Sequence, residues 1–120
     1  MVIIKSYTDI EQSNKLAEIL QRESADMYYC YGMDIHTKKW EYDTVPTIID
    51  ADNQIDIGDI PCWSLATLLG VLPNDTSLLY FDDAYQMVYD KKPYVISDKF
   101  DNPIDACYEM IVKLHELKML

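Results

Sequence analysis

The chain has 120 residues, of which 49% are hydrophobic and only 3 are glycine. This composition predicts one domain, residues 1–120, with its own core, and it excludes low-complexity disorder. The formal net charge of −11 excludes direct binding to nucleic acid and to anionic membranes, because both depend on Lys and Arg.

In the first half of the chain, residues 2–4 are expected to form either a short strand or an extended lead-in, and residues 8–21 a helix. Thr8 and Glu11 predict a capping box, in which each side chain accepts a hydrogen bond from the backbone N–H of the other. Three tyrosines between positions 28 and 31 predict a strand over 26–32, ended or bulged by Gly32. A half-buried strand at 40–43 and an extended piece at 47–49 precede a polar loop at 50–59.

The second half is predicted to begin with a buried helix at 61–71. Pro61 suits the first turn of a helix, where its fixed φ is favourable. One face of that helix is apolar, formed by Cys62, Leu65, Ala66 and Leu69. Short apolar runs at 78–81, 84–89 and 94–97 then predict an antiparallel meander.

The last helix is predicted at 102–117, with Pro103 in its first turn. Apolar residues recur along it at helical spacing and should face the core: Ile104, Cys107, Met110, Ile111 and Leu114. The elements together predict an α+β fold with helices at about 8–21, 61–71 and 102–117. We expect one antiparallel sheet of about four to five strands, including the meander.

Acidic residues are concentrated in the middle of the chain. Residues 40–90 hold 10 of the 21 acids and none of the 10 Lys and Arg residues. An EF-hand loop counted from Asp50 would need Gly and Glu where Ile55 and Pro61 stand, so that motif fails. A looser cation site remains an alternative, formed by the carboxylates of Asp50, Asp52, Asp56 and Asp59.

The sequence contains no motif for nucleotide binding or nucleophilic catalysis. It lacks a glycine-rich phosphate loop and a G-x-S-x-G turn, and its cysteines and histidines lack the spacing of a zinc site. The sequence therefore assigns no catalytic, cofactor-binding or metal residue and no cofactor.

The expected location is the cytoplasm. The number of cysteines is odd, which favours reduced thiols, and the residues are Cys30, Cys62 and Cys107. No apolar run reaches the ~20 residues of a membrane span, and the first residues lack the layout of a signal peptide.

Aromatic residues cluster between Tyr28 and Tyr42. The cluster comprises Tyr28, Tyr29, Tyr31, Trp40 and Tyr42. Alternate residues of a strand face opposite sides, so some of these rings should be exposed and could form a protein-binding face. The alternative is a sheet whose outer face is covered by helices.

Three segments of the chain carry a resemblance: ESADMY at 23–28, IPCWSL at 60–65 and DNPIDA at 101–106. With these segments the chain resembles a family of small uncharacterised proteins from gut-bacterial genomes, phages and mobile elements. The resemblance implies an accessory gene of a mobile element and no known activity, ligand or catalytic residue.

The function that the sequence favours is therefore non-enzymatic interaction with a protein partner, within a phage or mobile element. One alternative is an acidic DNA mimic that inhibits a DNA-binding protein, since the residues 40–90 are so rich in acids. A second alternative is a small metal-dependent hydrolase that uses the 50–59 loop.

Overall fold

Residues 5–120 are described by the computed structural model, so the strand expected at 2–4 lies outside the described residues. The order of elements is α1 (Ile10–Ala17), a 3-10 turn (Arg22–Ser24), β1 (Met27–Tyr29), β2 (Tyr31–Met33), β3 (Trp40–Tyr42), β4 (Thr47–Ile48), β5 (Ile60–Cys62), α2 (Leu65–Val71), β6 (Thr76–Phe81), β7 (Ala84–Tyr89), β8 (Val95–Ile96) and α3 (Pro103–Glu116). The α+β prediction is confirmed. None of the helices in this part of the chain is both long and apolar enough to cross a membrane.

The strands divide among small antiparallel sheets, and they do not form the one sheet expected from the sequence. The sheets have the orders β4–β1–β5, β2–β3 and β6–β7–β8. The predicted strand at 26–32 is interrupted at Cys30, so β1 and β2 belong to different sheets. The strand continues through Gly32, and the prediction that this glycine ends or bulges it was wrong.

Helix α1 is shorter than predicted, and its capping box lies one residue further along the chain. Asp9 is the N-cap, and its carboxylate accepts the backbone N–H of Gln12 at 2.7 Å. The side-chain oxygen of Gln12 in turn accepts the backbone N–H of Asp9 at 3.1 Å. Thr8 is instead fully buried, and its hydroxyl lies 2.7 Å from that of Ser13. The same hydroxyl accepts the backbone N–H of Trp63 at 3.1 Å, which ties the start of α1 to the chain after β5.

The central helix begins later than predicted. Residues 60–62 form the edge strand β5, in which Pro61 lies opposite Tyr28, and α2 begins at Leu65 with Ser64 as its N-cap. Proline is compatible with an edge strand because no neighbouring strand needs its missing N–H. The predicted apolar face was also wrong, because Leu68 is fully buried whereas Leu69 is 42% exposed.

The C-terminal half matches the sequence expectations closely. Strands β6, β7 and β8 form the predicted meander, and Asn102 caps α3 with Pro103 in its first turn. The predicted apolar face of α3 is completely buried: Ile104, Cys107, Met110, Ile111 and Leu114. These side chains pack against Leu16, Trp63, Leu68 and Met87 in the main core. One face of the meander is therefore covered by α3.

Candidate functional site

The β2–β3 ribbon brings four large side chains to one face. Tyr31 lies opposite Tyr42, and Met33 lies opposite Trp40. Successive strand residues alternate between faces, so these four side chains share one side while Gly32 and Glu41 share the other. We call Tyr31, Met33, Trp40 and Tyr42 the ribbon face.

The ribbon face is open to solvent. Met33 is 52% exposed and Trp40 is 58% exposed, and both tyrosines are exposed as well. The ring of Tyr31 lies between the other two, with its centroid 5.7 Å from Trp40 and 4.7 Å from Tyr42. The prediction that the strand at 40–43 is half-buried was wrong, since all residues of β3 are exposed. A contiguous exposed apolar patch of this kind is typical of interaction sites.

The other two aromatics of the cluster are part of the interior. Tyr28 and Tyr29 lie in β1 and are buried. The hydroxyl of Tyr29 donates to the backbone oxygen of Thr8 at 2.7 Å, and burial raises the pKa of this phenol. The cluster between Tyr28 and Tyr42 therefore divides at Cys30 into a buried pair and an exposed set.

The ribbon is anchored at its base to the 50–59 loop. Asp59 is only 7% exposed, and its carboxylate accepts the backbone N–H of Tyr31 at 3.0 Å. The Arg22 guanidinium donates to the backbone oxygen of Asp59 at 3.0 Å and also to that of Asp56. The hydroxyl of Tyr42 donates to the backbone oxygen of Gly58 at 3.4 Å. These bonds fix the ribbon on the loop.

The far end of the ribbon is ordered by Asp34. Its carboxylate accepts the backbone N–H groups of His36 at 2.7 Å and Thr37 at 3.1 Å. Bonds to the backbone N–H groups of Thr37 and His36 lower the pKa of Asp34, because they stabilise its ionised form. The turn between β2 and β3 is therefore held by a local side chain.

The reverse side of the ribbon is acidic. Glu41 lies on this side, and a hollow at the ribbon is lined by Asp34, Glu41 and Asp43 together with Gly32, Met33, Tyr42 and Thr44. No atom outside the neighbouring residues lies within 4 Å of the place where a Cβ on Gly32 would stand. The ribbon thus combines an aromatic face with a negatively charged reverse side.

The four loop carboxylates do not form a common site. Asp50 accepts the backbone N–H groups of Asp52 at 2.9 Å and Asn53 at 2.8 Å, and these bonds lower its pKa. Asp59 is turned toward Tyr31 and the N–H of Asp56. Within residues 5–120, no three His, Cys, Asp or Glu side chains are grouped as metal ligands. The hydrolase alternative requires several of these carboxylates to meet in one pocket, and the geometry argues against such a pocket.

The cysteines are free and show no sign of an activated thiol. Cys62 and Cys107 are fully buried, and Cys30 is half-buried. Burial raises the pKa of Cys107 to about 12 and also raises the pKa of Cys62 and Cys30. A thiol nucleophile needs a lowered pKa, which is the opposite direction. Cys62 and Cys107 pack within the two core clusters.

Sequence reasoning identified the aromatic cluster but missed Met33, which lies just outside the strand predicted at 26–32. The signal that was present is the alternation of large and small residues in Tyr31, Gly32 and Met33.

Comparisons of the chain with models of protein families, with curated proteins and with solved structures found no match.

Proposed function

We propose that this chain is a non-enzymatic interaction module that binds a basic segment of a partner protein through the ribbon face. The observation that carries the proposal is the exposure of four large apolar side chains on one side of β2–β3. Exposed aromatic residues and methionine are enriched at the centres of protein interfaces. The contacts among the three rings order the surface before binding, which lowers the entropy lost on association.

The charge of the surroundings favours a basic partner. The chain carries a net charge of −11, and the acids Asp34, Glu41 and Asp43 at the ribbon outnumber Lys38 and Lys39 in its turn. Arg and Lys side chains can lie over the Trp and Tyr rings of the ribbon face, and the net negative charge of the chain attracts them at longer range. The partner segment should therefore combine apolar side chains with arginine or lysine.

The setting expected from the sequence belongs to the same proposal. The chain would then be an accessory protein of a phage or mobile element. It would act in the cytoplasm by binding a protein of the host or of the element. The DNA-mimic alternative stays a prediction. Two of its acids, Asp50 and Asp59, are engaged in bonds to backbone N–H groups within the chain.

The test uses a synthetic peptide of alternating arginine and leucine, titrated into the full chain by calorimetry. We expect binding that weakens with added salt, because part of the attraction is between exposed charges. The double substitution Tyr31→Ser and Trp40→Ser should weaken binding by at least about tenfold, since aromatic anchors each contribute roughly 1 kcal/mol or more.

Two controls separate the ribbon face from general charge attraction. Tyr94 is 65% exposed and directly precedes β8, a strand that belongs to a different sheet from the ribbon, so Tyr94→Ser should leave the affinity unchanged. A peptide with glutamine in place of arginine should bind much more weakly. Equal affinity of the double variant and the unsubstituted chain would show that only the net charge attracts the peptide, and the proposal would be wrong.

A further inference from the structure

The two edge strands of the β6–β7–β8 sheet differ in length and in how many of their backbone groups lack a partner. β8 has only two residues, and the backbone oxygen of Ile96 accepts a hydrogen bond from Lys113 at 3.0 Å. β6 has six residues and pairs on one side with β7; on its other side, no strand from residues 5–120 is paired with it. Among residues 5–120, the sheet therefore presents one long edge without a paired strand.

That edge lacks the features that normally prevent strands from pairing between molecules. The sequence of β6 is TSLLYF, with neither a charge nor a proline. Leu79 is 41% exposed, Tyr80 is 60% exposed and Phe81 is 40% exposed. Exposed edge strands usually carry Lys or Pro, or are short. The six residues of β6 contain no acid, so in a pair of chains that each carry a net charge of −11 the acids would meet only at the ends of this strand.

The hairpin geometry fixes which backbone groups of β6 are free. Asp82 and Asp83 form a two-residue turn with φ of 52° and 59°, so Phe81 and Ala84 are a hydrogen-bonded pair. Bonded positions alternate along an antiparallel strand, and the bond from Asp90 N–H to the oxygen of Asp75 at 3.0 Å fits this alternation. Leu78 and Tyr80 therefore direct their N–H and C=O groups away from β7.

We propose that two copies of this chain associate through their β6 edges, in antiparallel pairing about a two-fold axis at Leu79. In this register Leu78 of each copy lies opposite Tyr80 of the other, and these residues exchange the hydrogen bonds that are free in one copy. Leu79 meets the same residue of the second copy across the axis. The product is a continuous sheet of six strands, from the three strands of each copy. A two-fold axis perpendicular to the sheet keeps α3 of both copies on one side.

The ends of the paired strands determine the response to salt. The same register brings Asp82 and Asp83 of one copy toward Asp75 of the other, so like charges meet at both ends. Salt screens these exposed charges, and the association should strengthen as salt is added. Binding of a basic peptide at the ribbon face should respond in the opposite direction. The ribbon face belongs to another sheet, so this inference is independent of the proposed function.

The first experiment measures molecular mass by sedimentation in low and high salt. We expect a concentration-dependent rise from the 14.0 kDa of one chain toward twice that mass. Leu79→Lys places two ammonium groups beside the axis and should weaken the dimer by roughly tenfold or more. Ile96→Lys is the matched control, since Ile96 is 52% exposed at the other edge of the same sheet, and it should leave the dimer intact.

The second experiment tests the register directly. Leu79→Cys, made with Cys30→Ser to remove the only thiol that is not fully buried, should form an intermolecular disulfide under mild oxidation. Ser77→Cys in the same background should cross-link far more slowly, because this residue lies opposite Phe81 of the second copy. A single-chain mass at every concentration and salt level would overturn the proposal. Equal cross-linking rates at positions 77 and 79 would also overturn it.

Discussion

Asp59 and Tyr31 are joined by a hydrogen bond of 3.0 Å from the backbone N–H of Tyr31 to the carboxylate of Asp59. The second oxygen of the same carboxylate accepts the N–H of Asp56 at 2.9 Å. One buried acid thus closes the end of the 50–59 loop and holds the first residue of β2. The orientation of the ribbon face depends on this side chain.

Asp59→Ala should destabilise the fold by about 2 kcal/mol, because it leaves two backbone N–H groups without their charged acceptor. Binding of the arginine–leucine peptide should weaken as well, through loss of the ribbon's orientation. Chemical denaturation measures the first effect and calorimetry the second. Asp59→Asn retains one acceptor oxygen and should cost less. If both variants matched the unsubstituted chain, the carboxylate would have no anchoring role.

Leu68 and Leu69 are adjacent residues of α2 with opposite environments. Leu68 is fully buried, so Leu68→Ala should cost about 2 to 5 kcal/mol of unfolding free energy. Leu69 is 42% exposed, and Leu69→Ala should change stability by less than about 0.5 kcal/mol. The comparison requires only thermal or denaturant melts of the two variants. Similar losses for both would show that α2 is rotated from the position described.

Thr8 joins the start of α1 to β5 through buried hydrogen bonds. Thr8→Val keeps the shape of the side chain but removes the acceptor of the Trp63 N–H, so it should cost about 1 to 3 kcal/mol. Thr8→Ser retains the hydroxyl and should cost less than the valine substitution. If denaturant melts showed Thr8→Ser to be less stable than Thr8→Val, the role of the hydroxyl as a hydrogen-bond acceptor would be contradicted.

Asp105 links α3 to the start of the chain. Burial acts to raise its pKa, but hydrogen bonds from Asn102, Gln12 and Lys5 outweigh burial and hold the pKa below the ordinary value of an aspartate. A carboxyl with a lowered pKa in the folded state contributes stability above the unfolded pKa and loses it as the pH falls through the folded value. Asp105→Asn should therefore destabilise the protein near neutral pH and flatten the loss of stability below about pH 4.

The measurement for Asp105 is the free energy of unfolding across the acidic range. Asp98→Asn is the control, because Asp98 is exposed. An Asp105→Asn profile parallel to that of the unsubstituted chain would mean that the folded state does not perturb this carboxyl.

The elements that the sequence predicted well are those in which several local signals agree. In α3, the cap Asn102, the first-turn Pro103 and a regular apolar face all indicate the same helix. The β6–β7 hairpin likewise combines two apolar runs with the acids Asp82 and Asp83, which tolerate positive φ. Such consistency leaves few alternative structures.

The errors arose where one residue suits two structures. Pro61 is favourable in the first turn of a helix and is also tolerated on an edge strand, and its pairing with Tyr28 is a long-range contact that no local pattern reveals. The break at Cys30 is of the same kind, because the two short strands on either side are distinguished only by their distant partners. The anchoring of Tyr31 by Asp59 was therefore not predictable.

The two tryptophans occupy opposite environments, with Trp63 fully buried and Trp40 58% exposed. The indole N–H of Trp63 donates to the hydroxyl of Ser24 at 2.9 Å, so this ring is held within the core. Its fluorescence should be blue-shifted and protected from iodide, whereas emission from Trp40 should be red-shifted and readily quenched. The chain thus carries one optical reporter of unfolding and another of events at the ribbon face. In a Trp40→Phe variant, Trp63 would be the sole tryptophan, and the emission would report on unfolding only.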